Sequence, residues 1–239
     1  MDVKPIPGLE QLPFAEVWFQ EIDDASWRVA SAAALAIGKT GLEAWTTSRT
    51  PEVAAFLEAR GYDIVRRYVI SELDVATAAE PAPPGFELTT FGERPDLAQA
   101  LFEIASESYS DQPGRPEQQL ESFEDWRSWG LDSHPPETYF IALENERPLG
   151  YGFLSAKDET WWNDFLAVAR AARGRGVASS IKRAQILWAK ANGVRALRTA
   201  NEERLTGLLA LNERLGYRPL YTEIVLRGPV RSAAGPAGS

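Results

Sequence analysis

The residues best placed to do chemistry lie in the run Val168-Ala169-Arg170-Ala171-Ala172-Arg173-Gly174-Arg175-Gly176-Val177-Ala178. An apolar stretch, Phe165 to Val168, ends there, an arginine- and glycine-rich turn comes next, and a helical pattern begins at once. That order places a tight turn at a helix N-terminus, where unpaired backbone N–H groups and the helix dipole attract phosphate. Two glycines let the backbone approach an anion with no Cβ in the way. Arg170, Arg173 and Arg175 concentrate positive charge in a chain whose net charge is −9. The chemistry these residues point to is the holding of a pyrophosphate.

Other phosphate loops fit less well. A Walker loop needs Gly-x-x-x-x-Gly-Lys-Ser/Thr, and no such lysine comes after Gly176. A dinucleotide fingerprint beginning at Gly174 would have Ser179 at its third glycine position, without the βαβ context. The plainest alternative is an arginine-rich surface turn. The chain has no cysteine and one histidine, His134, which reads as a loop residue. Disulfides, thiolate metal sites and a cysteine nucleophile are therefore excluded, and a histidine metal site or serine–histidine relay lacks material, so no metal is expected. A pI near 4.9 argues against nucleic acid as the main partner and would suit a cationic substrate such as an amine. No apolar run reaches the roughly 18 residues of a membrane helix, and the first residues do not read as a signal peptide, so the expected compartment is the cytoplasm, away from membranes.

The elements that must position this turn are read from pattern. The first segment reads as mixed α/β: an apolar run at Pro13 to Ile22, a helix from Trp27 to Ile37, a short strand at Leu42 to Thr46, a helix opened by Pro51, and a strand from Ile64 to Leu73. An Ala/Pro-rich run at 76–85 reads as a linker. Then come a strand (Phe86 to Thr90), a helix opened by Pro95, a helical stretch from Pro116 to Leu131, and strands at Tyr139 to Leu143 and Leu149 to Leu154 joined by Asn145 to Pro148. Thr160 to Val168 is a strand leading into the turn, and the helix after it keeps Val177, Ile181, Ala184, Trp188 and Ala191 on one stripe. A strand at Ala196 to Ala200, a helix at Thr206 to Leu215 and one or two strands from Arg218 to Leu226 complete the order, ahead of a small, polar tail, 231–239, expected to be disordered. This is mostly a meander with one helical crossover after the glycine turn, not an alternating βαβ sheet.

With Arg173-Gly174-Arg175-Gly176-Val177-Ala178 coming after Val168, and with Leu197-Arg198-Thr199-Ala200-Asn201 and Leu211-Asn212-Glu213-Arg214-Leu215-Gly216-Tyr217 downstream, residues 86–228 resemble the GNAT family, the Gcn5-related N-acetyltransferases. The first run matches the family's Arg/Gln-x-x-Gly-x-Gly/Ala fingerprint. The resemblance implies an α+β fold, a mixed, mostly antiparallel sheet flanked by helices, and transfer of an acetyl group from acetyl-CoA to a primary amine. It implies that the pantetheine arm bonds the backbone of Leu166, Ala167 and Val168, and that the N–H groups of Arg173, Gly174, Arg175, Gly176, Val177 and Ala178 hold the pyrophosphate. Asn201 and Asn212 complete the implied cofactor set. Lys182 and Arg183 would meet the 3′-phosphate or, equally, form a solvated helix face. A backbone N–H near Val168 would stabilise the developing oxyanion. Because an amine with a pKa near about 10.4 arrives as ammonium, a base is needed. Strand alternation from 164 to 166 and 168 puts Asp164 on the face of Leu166 and Val168. It is the first candidate, its plain reading being a solvent-facing carboxylate, and Glu202 is the second. Three positions depart from the family pattern: Asn212 stands where many relatives have a tyrosine acid, Leu205 replaces a frequent asparagine, and Leu166 a frequent threonine. The acceptor is expected to be a small molecule; a protein N-acetyltransferase and a non-catalytic acyl-CoA-binding or sensing protein are the alternatives. Tyr109, Trp126, Trp129, Trp161 and Trp162 read as core more simply than as an acceptor pocket.

The chain also matches itself. Phe56-Leu57-Glu58-Ala59-Arg60-Gly61-Tyr62 parallels Leu211 to Tyr217 at an offset of 155, and Gly41 to Thr47 parallels Gly193 to Thr199 at 152. The expected domains are therefore a degenerate, partial GNAT-like unit over 1–75, a linker over 76–85, the acetyl-CoA-binding domain over 86–230, and the tail. Projected back, the glycine turn falls on Glu21 to Ser26, where three carboxylates would repel a pyrophosphate. An incomplete unit needs a partner surface, either the second domain or a second copy in a homodimer.

Overall fold

The computed structural model describes residues 1–79, 85–111, 122–157 and 160–230. In chain order the elements are β1 Lys4–Pro5, β2 Phe14–Trp18, α1 Asp24–Ala36, β3 Gly41–Thr47, α2 Pro51–Glu58 and β4 Asp63–Asp74. Next are β5 Glu87–Thr90, α3 Ala98–Ser110 (entered through a 3-10 turn, Pro95–Leu97), α4 Phe123–Trp126 with a π turn at Arg127–Leu131, β6 Tyr139–Glu144, β7 Arg147–Lys157 and β8 Thr160–Val168. Last come α5 Val177–Ala191, β9 Ala196–Glu202, α6 Thr206–Arg214 and β10 Arg218–Pro229. Part of the linker, 80–84, part of the expected helix, 116–121, and the tail lie outside the described residues.

The chain divides into two compact units, Met1–Ile70 with the segment from Leu220 onward, and Ser71–Pro219. Sequence pattern keeps 86–230 together, whereas β10 pairs with β3 from Glu223↔Thr47 to Pro229↔Gly41 and so belongs, from Leu220, with the first unit. The other boundary falls inside β4.

In the first unit the strand order is β1-β2-β3-β10-β4, with β2 parallel to β3 and α1 connecting them. Alternation sends Ala15, Val17, Leu42 and Ala44 into one core with Trp27 and Ala34 of α1 and Leu57 of α2. Glu43 and Arg66, both fully buried, pair at 2.7 Å, and Arg227 reaches the same carboxylate at 2.8 Å.

In the second unit the end of β4 is followed by β9-β8-β7-β6-β5. The β5–β6, β6–β7 and β7–β8 pairs are antiparallel and β8–β9 is parallel. One face is covered by α3 and α4 through Leu101, Ile104 and Trp126, the other by α5 through Val177, Ile181, Ile186 and Ala189. Each fully buried Val, Leu or Ile among them contributes about 1.5–3 kcal/mol. The β6–β7 connection is tighter than the four-residue turn expected. Asn145 (φ 50°) and Glu146 (φ 63°) alone make it, so the strands run on to Glu144 and from Arg147. Beyond β4, the described linker residues are tied down: Asp74 accepts from the N–H of Ala76, Thr77 and Ala78, and Lys190 donates to the Ala78 carbonyl at 2.7 Å.

The internal repeat is present in three dimensions, with one offset rather than two. β3 and β9, α2 and α6, and β4 and β10 each begin 155 residues apart, and the two strand pairs match in length. Both units run parallel strand, helix, strand, helix, then a glycine at positive φ (Gly61 83°, Gly216 95°) before a buried tyrosine and the last strand. The first unit thus repeats the second from β8 on, the two-residue β1 lying antiparallel to β2 as β7 lies to β8, and among the described residues it has no counterpart of β5 and β6.

Candidate active site

The turn expected to hold an anion is built as the sequence implies, at the N-terminus of α5. Gly174 (φ 75°) and Gly176 (φ 90°) are left-handed, and a Cβ at either would meet nothing within 4 Å, so the backbone conformation alone demands glycine. Gly176 is the N-cap and no side chain caps the helix, which leaves its first N–H groups open to a ligand. The corresponding helix of the first unit is closed. There Asp23 is the N-cap, its carboxylate accepts from the Ser26 N–H at 2.7 Å, and the Ser26 hydroxyl accepts from the Asp23 N–H at 2.9 Å.

The arginines are less free than their spacing implies. Arg170 forks onto Asp111 at the end of α3 (2.7 and 2.8 Å), Arg173 pairs with Asp111 at 2.8 Å, and Arg175 with Glu144 at 2.5 Å. Hydrogen bonds from Arg170 and Arg173 hold the Asp111 carboxyl well below the usual carboxylate range. Sequence reasoning missed Asp111, since no local pattern links an acidic residue so far upstream to the turn.

Beside the turn lies a groove of about 480 Å³. Leu166, Val168 and Ala178 form one side, Leu205, Leu208 and Leu211 the other, and Asp111 and Arg173 supply the charged groups of a mainly apolar lining. It exists because β8 and β9 part company. They pair only from Trp161↔Leu197 to Asn163↔Thr199, although β8 continues to Val168, whereas β2 and β3 stay paired from Phe14↔Gly41 to Trp18↔Trp45. Of these two parallel pairs, only that of the second unit opens such a slot. Leu205 occupies the N-cap of α6 without capping it and is partly exposed into the groove.

Asp164 is where simple strand alternation fails. The β7–β8 register shifts between Phe153↔Phe165 and Leu154↔Asn163, so Asp164 is the extra residue of a β-bulge. Asn163, Leu166 and Val168 face α5, while Asp164 turns to the α3 side with Phe165 and Ala167. It lines a cavity of about 110 Å³ with Tyr109, Trp126, Trp129, Tyr151, Phe153 and Phe165. Its carboxylate accepts from the Ser155 hydroxyl (2.5 Å) and the Lys157 ammonium (2.5 Å). Of the aromatics singled out in the sequence, Tyr109, Trp126 and Trp129 line this cavity; Trp161 packs on Trp188 of α5, and Trp162 lies beside Lys157 and Arg198.

The remaining candidates lie elsewhere. Glu202 is 4% exposed and its carboxylate holds Arg204 at 3.0 Å. Asn212 is buried and donates to Asn201 at 2.7 Å; Leu208 and Leu211 supply the groove wall on α6. Lys182 does not sit on a solvated helix face. It is fully buried, donates to the Asn163 side chain at 3.3 Å and lies 5.1 Å from the Tyr217 ring, so it is not placed to meet a 3′-phosphate. Among the described residues no three His, Cys, Asp or Glu side chains cluster as metal ligands, and no helix is long and apolar enough to cross a membrane.

The model of the Acetyltransferase (GNAT) family matches residues 98–217, and the chain belongs to that family. Its fold is similar to that of a GCN5-related N-acetyltransferase from Sphaerobacter thermophilus (TM-score 0.74, 18% identity, covering 100% of this chain and 78% of that one). It is also similar to a tandem GNAT protein from the clavulanic acid biosynthesis pathway (0.68, 19%, 94% and 78%) and to a GCN5-related N-acetyltransferase from Kribbella flavida (0.59, 18%, 90% and 81%). A search of curated proteins returns no significant match.

Proposed function

We propose that the second unit transfers an acetyl group from acetyl-CoA to the primary amine of a small molecule. The observation that carries this reading is the uncapped N-terminus of α5 at Gly176, set beside a groove with leucine walls. The N–H groups from Gly174 to Ala178 hold the pyrophosphate, that of Arg173, expected to join them, being bonded to the Arg170 carbonyl at 3.3 Å, and Leu166, Val168, Leu205 and Leu208 enclose the alkyl parts of the pantetheine arm. Separation of β8 from β9 leaves the backbone of Leu166 to Val168 able to bond that arm. Asp164, directly or through water, takes a proton from the arriving ammonium. The nitrogen then bonds to the acetyl carbon, the carbon–sulfur bond breaks, and the thiolate takes up the second amine proton. The products are amide, thiol and one proton released to solvent. Asp164 is preferred over Glu202 as base because it opens onto the cavity beside β8, whereas Glu202 is buried and lines neither that cavity nor the groove.

Release of free thiol from acetyl-CoA across a panel of amines tests this. Amine-dependent release is expected, falling by about 10²–10⁴ in kcat/KM in Asp164→Asn with acetyl-CoA affinity unchanged. Tight acetyl-CoA binding with no turnover on any amine or peptide would leave a binding protein instead.

A further inference from the structure

The cavity at the β8 bulge has a composition unlike the rest of the second unit. Its walls are aromatic, and the one ionisable carboxylate among its lining residues is Asp164. The rings support one another: Tyr109 stacks on Phe165 (centroids 5.7 Å apart, planes at 20°) and meets Trp129 edge-on at 6.1 Å, and Trp126 meets Tyr151 edge-on at 6.5 Å. The π turn at Arg127–Leu131 is what presents Trp129, which remains 49% exposed while Trp126 is buried. Burial pushes the Tyr151 phenol well above its ordinary pKa, so it carries no charge here.

We propose that this cavity recognises the acceptor as a cation: the ammonium of a compact aliphatic amine, enclosed by Tyr109, Trp126, Trp129, Tyr151 and Phe165 with Asp164 as its counter-charge. The inference rests on the acetyltransferase reading for the chemistry after binding, but the recognition stands on the cavity itself. Aromatic rings attract a cation through their quadrupole, and attract it more strongly where water is excluded. An anionic acceptor would meet the Asp164 carboxylate, whose cationic partner Lys157 is not itself among the lining residues, and the aromatic walls give a neutral polar one few partners. The carboxylate already holds an ammonium, that of Lys157, which reaches it with a half-exposed side chain and is able to withdraw when another cation arrives. Size narrows the class further. A cavity near 110 Å³ is smaller than the engineered one of about 150 Å³ that takes benzene, so the carbons next to the nitrogen must be unbranched and any bulk must stay outside.

The test uses the full chain and methylammonium, a cation small enough for the cavity, titrated without acetyl-CoA so that no transfer occurs. Quenching of tryptophan fluorescence on titration is expected. Trp129→Leu, which keeps bulk but removes the ring, should raise the KM for straight-chain primary amines at least tenfold at unchanged acetyl-CoA affinity, and Trp129→Phe should recover most of the loss. Equal KM values in Trp129→Leu and the parent chain, or preference for amines bearing a carboxylate, would overturn the inference while leaving acetyl transfer standing. Should no acceptor of any class be acetylated, the fluorescence titration decides alone. Quenching lost in Trp129→Leu supports the cation site, and no quenching in the parent chain overturns it.

Discussion

Lys182 is a lysine inside a hydrophobic core, and its surroundings explain how it is tolerated. The Asn163 amide oxygen accepts from both Lys182 and the Tyr217 hydroxyl, and the Asn163 amide group donates to Gln185 at 3.0 Å. The residue 155 positions earlier is Trp27, which donates to Tyr62, the counterpart of Tyr217. The first unit thus fills with an aromatic ring the place where the second keeps a polar network. Desolvation lowers the pKa of Lys182 from 10.5 to about 7. Between about pH 7 and 10.5 the unfolded chain holds a proton that the folded chain has lost, so stability rises with pH across that window; below it the folded chain carries the full cost of a buried charge. Lys182→Met should flatten the rise and stabilise the protein at pH 6 by on the order of a few kcal/mol. Urea melts at about pH 6, 8 and 10 check this, and an unchanged slope would contradict it. Burial of this side chain was not legible in the sequence. Lys182 and Arg183 are adjacent on a helix stripe where either could face out, and only the opposing Asn163 and Tyr217 decide.

Two departures from regular strand geometry shape the site at the level of elements. The bulge at Asp164 reverses which face that residue meets, and the ending of the β8–β9 ladder at Asn163↔Thr199 opens the groove. Strand β8 itself was legible end to end, since Thr160 to Val168 is a largely apolar and aromatic run. The bulge was not, because Asn163-Asp164-Phe165 carries no glycine or proline to mark it and the shift arises from pairing with β7. Close approach of β7 to β8 and α5 depends on Gly150. A Cβ there would lie 2.7 Å from the Ala167 carbonyl oxygen and 3.0 Å from Val177 Cγ1. Gly150→Val should therefore destabilise the protein by about 1–3 kcal/mol and weaken acetyl-CoA binding by displacing Val168 and the start of α5. Thermal melts and titration with acetyl-CoA read both effects, and wild-type values in each would show that the strand adjusts at no cost.

For the molecule as a whole, the repeat was legible at the Gly-Tyr helix ends, because a left-handed glycine after a helix leaves a strong local mark. Its single offset was not, since the match around β3 and β9 slips by three residues in loops that share no pattern. What the two units share is the frame: parallel strands, a crossover helix and a closing strand. What separates them is the helix entrance, capped by the Asp23 carboxylate in one and left open at Gly176 in the other, together with the splay found beside the open one. A carboxylate at a helix N-terminus satisfies the N–H groups a phosphate would need and repels its charge. The chain should accordingly hold one cofactor although its frame is present almost twice. Calorimetric titration with acetyl-CoA tests this most directly. The expected stoichiometry is one per chain, with affinity lost by at least tenfold in Gly176→Asp while the chain stays folded, its thermal melt lowered only by the strain of a side chain at φ 90°. Two equivalents bound, or an unaltered affinity in Gly176→Asp, would contradict it.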